Sequence, residues 1–302
     1  MIEHDYPKIS VGIPTYQRPD GLKRTLESIC QQTYPNLEII VSDNGSSGSE
    51  ISELVAAHMA QDKRISFYQQ NKNMGPTYNF QFVLQKATGD YFMWAADDDW
   101  HELDFIQVLY EKLAVDSNAV LAFCNFDARD ENGNKVAGFP NFYAILKVMT
   151  TKSKFLRVIK FFIAEEGSSK PHPIYGLIRR KALLDFSWID FVEKYGGNGA
   201  DVLFIFWLLQ KGNLALSDKQ LFGSTTLNEK SYTSKNVKWT LLSYSKFLSE
   251  QIKYVFGYIH IASGFLRVVI ICLLPIKLIE LSYLYMVKPL INYVKNNLKV
   301  IL

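Results

Sequence analysis

Residues 90–103 read "DYFMWAADDDWHEL", an apolar run that ends in three consecutive carboxylates, Asp97, Asp98 and Asp99. The ten residues before Asp97 carry a single charge, Asp90. A short apolar run of this kind reads as a buried strand. Carboxylates crowded at its end repel one another and raise each other's proton affinity unless solvent or a cation screens them. Upstream of this run the chain alternates strand and helix signals. "ISVGIPTY" (9–16), "LEIIVSDNGS" (37–46) and "RISFYQQN" (64–71) read as strands. "GLKRTLESICQQT" (21–33), "EISELVAAHMAQD" (50–62) and "TYNFQFVLQKATG" (77–89) carry helical apolar spacing, the last closed by a glycine. Strands separated by helices imply an α/β fold with an open, mostly parallel sheet covered on both faces. Ligands of such sheets sit beyond the carboxyl ends of the strands. Thr15, Asp43 and the three aspartates all fall there.

Beyond residue 105 the alternation weakens. "LAFCNFDARDENGNKVAGF" (121–139) suggests a hairpin around residues 131–134, and "PIYGLIRRKAL" (173–183) a strand running into a helix start. "GADVLFIFWLLQKGN" (199–213) is a strongly apolar helix closed at Lys211-Gly212, and residues 217–236 are strand-like and then polar. The chain has 302 residues, 48% of them hydrophobic, and a formal charge of +3, values that fit a globular protein and give no case for nucleic acid. Three scattered cysteines without a CxxC spacing point to a reducing compartment and away from zinc. "MIEHDYPKIS" has no secretory-leader pattern, so a cytoplasmic location is expected.

Several residues invite chemistry. Asp43 is placed to accept hydrogen bonds from a ribose or base edge, or else to form an Asx-turn leading into the next helix. Arg18 suits a phosphate by bidentate pairing, against the alternative of plain solvation. Neither GxGxxG nor GxxxxGK[ST] occurs, which removes the usual dinucleotide and P-loop signals. Mg²⁺ and Mn²⁺ use one or two carboxylates together with substrate phosphates. The acidic run therefore reads as Asp98, helped by Asp97, binding a divalent cation while Asp99 caps a following helix, with Glu102 at its third position.

The segments "ISVGIPTYQRPDGLKRTLESICQQTYPNLEIIVSDNGSS", "NKNMGPTYNF" and "GDYFMWAADDDW" together resemble the inverting, GT-A-type glycosyltransferases of family 2. The resemblance implies a nucleotide-sugar donor held by the Pro14-Thr15-Tyr16 turn, Arg18 and Asp43, with Asn73, Gly75 and Asn79 lining the same pocket. It implies a cation on Asp98 and Asp97 bridging the diphosphate, although Ala96 stands where an acid is usual. The family's base is the Asp of a Glu-Asp pair opening an apolar helix about a hundred residues later. Asp201 matches that place, with Ala200 where Glu is usual; capping the helix is its bland alternative. His172, between two prolines, and Lys230 are further candidates for contact with acceptor and diphosphate.

In the tail, 264–302, Lys277, Glu280, Lys288, Lys295 and Lys299 fall on one narrow helical face and apolar side chains fill most of the rest. No charge-free run is long enough to span a bilayer. The pattern suits a helix lying in the membrane interface, or one packed on the catalytic half or on a second subunit of a homo-oligomer. The expected organisation is a nucleotide-sugar half (1–105), an acceptor half of the same domain (106–250) and a membrane-associating helical tail (251–302). The expected function is sugar transfer with inversion, at the inner face of the cell membrane, to a glycan or polyprenyl-diphosphate-linked glycan of bacterial surface polysaccharide. The rivals are a sugar nucleotidyltransferase and a catalytically degenerate binding protein.

Overall fold

A computed structural model describes residues 6–130, 132–137, 142–166, 169–225 and 241–284. The N-terminal half follows the expected alternation: β1 (Ile9–Thr15), α1 (Pro19–Cys30), β2 (Leu37–Asp43), α2 (Glu50–Gln61), β3 (Ile65–Gln69), α3 (Pro76–Lys86) and β4 (Tyr91–Trp94). Every residue of β1 and β4 is buried, as strands covered on both faces require. Pro19 opens α1 at a position where its missing N–H costs nothing, and Leu22, Leu26 and Ile29 form the buried stripe.

The second half adds β5 (Trp100–His101), α4 (Phe105–Val115), β6 (Ala119–Arg129), α5 (Tyr143–Val148), α6 (Lys154–Ile163), β7 (Leu177–Arg179), α7 (Trp188–Tyr195), α8 (Ala200–Leu208) and β8 (Asn213–Thr225). Two long helices, α9 (Leu241–Ile261) and α10 (Gly264–Ser282), follow. The eight strands make one sheet in the order β3-β2-β1-β4-β7-β6-β8-β5. β1 to β4 are mutually parallel; β7 runs antiparallel to β4 and β6, and β6 lies parallel to β8. The fold is therefore the expected GT-A-type α/β sheet, and one sheet carries both halves.

Four expectations change. Asp99 does not cap α4: the chain after it first forms β5 against β8, and Asp104 stands at the cap position instead. The hairpin expected at 131–134 is reduced, among the described residues, to one antiparallel bridge between Arg129 and Lys135. α9 runs through the boundary expected at residue 250. Lys277 and Glu280, expected on a stripe facing lipid headgroups, turn inward: Lys277 is buried and its Nζ lies 3.0 Å from Glu166 and 2.6 Å from Glu280. A helical wheel gives the face on which charges gather but not which face packs. Lys288, Lys295, Lys299 and Lys230 lie outside the described residues.

Candidate active site

The carboxyl ends of β1, β2 and β4 converge. Thr15, the last residue of β1, is buried and its hydroxyl donates to Asp97 Oδ2 at 2.8 Å. Its carbonyl accepts from the Asn44 N–H at 3.0 Å and from Asn79 Nδ2 at 3.3 Å, tying the ends of β1 and β2 to α3. Asn79 also accepts from the Ser42 hydroxyl at 2.6 Å and donates to the Ser42 carbonyl at 2.9 Å, so its polar atoms serve the frame of the site. Asp43 is fully buried at the end of β2; it accepts from the Ser46 N–H, three residues on, at 3.1 Å and from Gln69 Nε2 at 3.3 Å. Asn44, which the sequence reading passed over, donates to Asn73 Oδ1 and to the Gly75 carbonyl, both at 3.0 Å, and accepts from the Met74 N–H. It fixes the loop carrying Asn73 and Gly75 beside the β1–β2 edge; its place in "SDNGSS" looked like turn chemistry alone.

Pro14 lies in the buried run of β1, which ends at Thr15, and past Tyr16 the chain turns through Gln17 at φ 54°, a left-handed conformation that a non-glycine residue holds only when its surroundings impose it. Here the Gln17 N–H donates to Ser46 Oγ at 2.8 Å. The turn delivers Arg18, whose guanidinium lies 3.2 Å from Asp97 Oδ1 and 2.7 Å from Asp98 Oδ2. Arg24, one turn along α1, donates to the Asp98 carbonyl at 2.9 Å and lies over the Trp100 ring. Gly21 makes this approach possible, because a Cβ there would stand 2.4 Å from the Asp97 carbonyl oxygen.

The acids remain under-neutralised. Burial, with the charge of Asp98, pushes Asp97 up to about 6 despite Arg18 and the Thr15 hydrogen bond. Burial also raises Asp98 against the pull of Arg18 and Arg24. Asp99 is raised further by burial and by Asp98; its Oδ1 accepts from the Thr225 N–H at 2.9 Å, which docks it on β8. Carboxylate oxygens of Asp97 and Asp98 converge on one cationic group, and burial is the first cause of their raised proton affinity. Two hard carboxylates in that condition fit Mg²⁺ or Mn²⁺. Ala96 contributes its carbonyl to Thr25 and no oxygen to this pair.

Asp201 lies in the first turn of α8, behind Gly199 at φ 71°. Glycine suits that left-handed position, and a Cβ would also strike the Tyr254 ring at 2.5 Å. Asp201 Oδ1 accepts from the Val202 N–H at 2.8 Å, while Gly199 holds the cap position without a side-chain bond. The carboxylate also opens onto a recess of about 360 Å3, shared with Pro76, Thr77, Phe80, Tyr175 and Trp188. Asp201 is exposed on this recess, and the protein packed around it raises its proton affinity. Two other recesses of similar size, beside Arg179 and beside Asp185, lie toward the amino ends of the strands, away from the acids.

Tyr175 lines the same recess as Asp201. Its phenol is held protonated first by burial and then by the charges of Asp99, Asp98, Asp201 and Asp97, so all four carboxylates bear on one ring. That ring stacks on Phe222 at 6.0 Å. Behind it, Trp94 at the end of β4 packs on Trp188 of α7 and Phe204 of α8, at 5.9 and 5.6 Å, and so sets the acid-bearing strand against the Asp201 helix. Nothing local in "HPIYGLIRR" marks Tyr175, since its role comes from what surrounds it. His172 stacks on Phe126 at 4.7 Å; its Nδ1 lies 3.0 Å from the Ser169 carbonyl and its Nε2 3.3 Å from Ser224 Oγ, and burial keeps it neutral. Both ring nitrogens are thus partnered within the protein, beside the end of β8.

Residues 10–186, more than half the chain, match the family model described as "Glycosyl transferase family 2". Glycosyltransferase GlyA of Streptococcus pneumoniae is 33% identical over 125 residues, which cover 41% of this chain and 18% of that protein. A Campylobacter jejuni protein named GalNAc(5)-diNAcBac-PP-undecaprenol beta-1,3-glucosyltransferase is 37% identical over 94 residues, 31% of this chain and 30% of that one. The match thus spans less than a third of either relative. Among solved structures, the mannosyltransferase PcManGT of Pyrobaculum calidifontis, in complex with GDP-Man and Mn2+, superposes with a TM-score of 0.60 at 15% identity, covering 94% of this chain and 71% of that one; this likeness speaks for the fold. With the family model covering the sheet edge that carries Thr15, Asp43 and Asp97 to Asp99, the chain belongs to glycosyl transferase family 2.

Proposed function

We propose that the protein transfers one sugar, with inversion, from a nucleotide diphosphate donor to a hydroxyl of a glycan or lipid-linked glycan in bacterial surface polysaccharide synthesis. The observation that carries the proposal is the match to the family together with two carboxylates, Asp97 and Asp98, gathered on Arg18 at the sheet's ligand edge and a third, Asp201, on the recess lined by Tyr175. Pro14 to Tyr16, Asp43, Asn73 and Gly75 form the rim that receives the nucleotide, and Arg18 turns from the acids to the diphosphate oxygens. Asp98 and Asp97 are the residues that would hold a divalent cation, which when bound would stabilise the negative charge of the departing diphosphate. Asp201 faces the acceptor. The new bond joins the acceptor oxygen to the anomeric carbon as the bond from that carbon to the phosphate oxygen breaks, and the hydroxyl proton passes to Asp201. A base in this role must stand within about 3 Å of that hydroxyl. The raised proton affinity of Asp201 suits it to hold a proton at the moment of transfer. Phe80, Tyr175 and Trp188 offer flat apolar faces to an acceptor sugar entering the recess.

The acceptor of the Campylobacter relative is, by its name, linked to undecaprenol through a diphosphate. A polyprenyl-diphosphate-linked glycan is accordingly the acceptor we propose, with the protein peripheral on the inner face of the cell membrane. The test is Asp201→Asn. It should lower turnover by roughly 10²–10⁴-fold while leaving Mn²⁺-dependent nucleotide binding, read by thermal shift, nearly intact. In the parent, turnover should fall on the acid side as Asp201, whose proton affinity is raised, takes up a proton and can no longer act as base. Loss of nucleotide binding in Asp201→Asn would assign Asp201 to the frame instead.

A further inference from the structure

α10 buries a lysine within its inner stripe and leaves a wide apolar arc outside. Its buried stripe holds Leu266, Ile270, Lys277 and Leu281, and its much wider outer arc is almost wholly apolar. Phe265 is 73% exposed and Ile279 72%, with Val268 and Ile276 also exposed between them. α6 runs alongside and continues the surface. The Phe155 ring stacks on Phe265 at 6.1 Å with planes 17° apart, and Leu156 beside it is exposed. A surface helix in water normally does the reverse, keeping apolar residues in and charges out. Contiguous exposed apolar surface of this kind marks a site of association.

The orientation is held by a buried charge cluster. Glu166 Oε1 lies 2.8 Å from Lys170 Nζ and 3.0 Å from Lys277 Nζ, and accepts from Tyr258 at 3.1 Å; its other oxygen accepts from Tyr254. Glu280 takes Lys277 at 2.6 Å and the Glu166 N–H at 2.6 Å. Two cations thus face two anions out of water. Stripping water from such groups is costly, and the return is often a defined register and not net stability. Here the register keeps Lys277 and Glu280 inward and leaves the apolar arc outside.

We infer that the α6–α10 face is a bilayer-docking surface for anionic lipid, with Phe265, Ile279 and their neighbours entering the headgroup–acyl boundary. Among the described residues no helix is long and apolar enough to cross a membrane, so the helix lies along the surface. Exposed Lys152 and Lys154 lead into Phe155, and exposed Arg267 borders the arc on α10, which suits phosphate headgroups. A second copy of the chain could also cover this face across a two-fold axis, and it is the neighbouring cations that favour phosphate headgroups over it. The inference deepens the lipid-borne acceptor reading, yet its test reads lipid binding and not sugar transfer.

The experiment compares the full chain with Phe265→Asp/Ile279→Asp in co-sedimentation with vesicles of phosphatidylcholine containing phosphatidylglycerol. The parent should sediment with the vesicles, less so in high salt, and the double variant should bind at least about tenfold more weakly. Nucleotide-sugar hydrolysis in lipid-free buffer and the folded far-UV spectrum should be unchanged in the variant. If the parent stays in the supernatant, or the variant sediments equally, the inference is overturned. It is equally overturned if light scattering shows a parent dimer that the substitutions dissolve without lipid.

Discussion

Two of the buried groups of ionisable side chains among the described residues differ in charge balance. At the strand ends, Asp97, Asp98 and Asp99 share little more than Arg18 and Arg24, and burial raises all three. Under α10, Glu166 and Glu280 meet Lys170 and Lys277 one for one. Burial alone would raise Glu166, but the two lysines outweigh it and hold its carboxyl below the usual range. Burial lowers Lys170 to about 8, still protonated at neutral pH. A balanced cluster is closed; its bonds are made within the protein. An unbalanced one is open, and its free energy falls when a cation arrives. This imbalance, more than acidity itself, separates a ligand site from a structural joint.

The contrast can be broken from either side. The largest effect should come from the closed cluster: Glu166→Ala leaves two buried lysines facing each other and should cost about 3–5 kcal/mol in denaturant unfolding. A stability close to that of the parent would show that the cluster is already solvated. At the open cluster, removing a charge should not weaken the fold but should disable the site. Asp98→Asn should reduce Mn²⁺ affinity in the presence of nucleoside diphosphate by about 10–100-fold, measured by titration calorimetry, with an unfolding midpoint no lower than the parent's. A drop in that midpoint would make the acids structural.

The smallest effect sharpens the comparison, using a buried group beside the acids that lacks any partner ion. His101 sits between Phe105 and Phe222 with Nε2 unpaired, and burial lowers it to about 3. The unfolded chain therefore binds the proton more readily, and stability is lost as pH falls from about 6.5 toward about 3. At pH 5 the loss is about 2 kcal/mol from this group. His101→Phe should remove that part of the acid sensitivity, read as a smaller difference in unfolding free energy between pH 7 and pH 5.

Legibility followed the range of the interactions. β1 to β4 and the helices between them were readable because proline, glycine and apolar periodicity act within a few residues. The strand-end position of Thr15, Asp43 and the acids came with them. Asp99 was misread as a helix cap because the competing partner, the Thr225 N–H, lies 126 residues away. Arg18 was read as a phosphate ligand, and nothing near it announced the ion pairs it makes with Asp97 and Asp98. Tyr175 carried no signal at all.

By itself the sequence determined the alternating strands and helices, the acids at the sheet's ligand edge and a tail rich in apolar residues, since each rests on periods and turns written in neighbouring residues. Tertiary structure alone decided which carboxylates bear on a common ring and which side of α10 faces out. Those outcomes depend on desolvation and charge pairing between distant segments, and such energies exist only once the chain has packed.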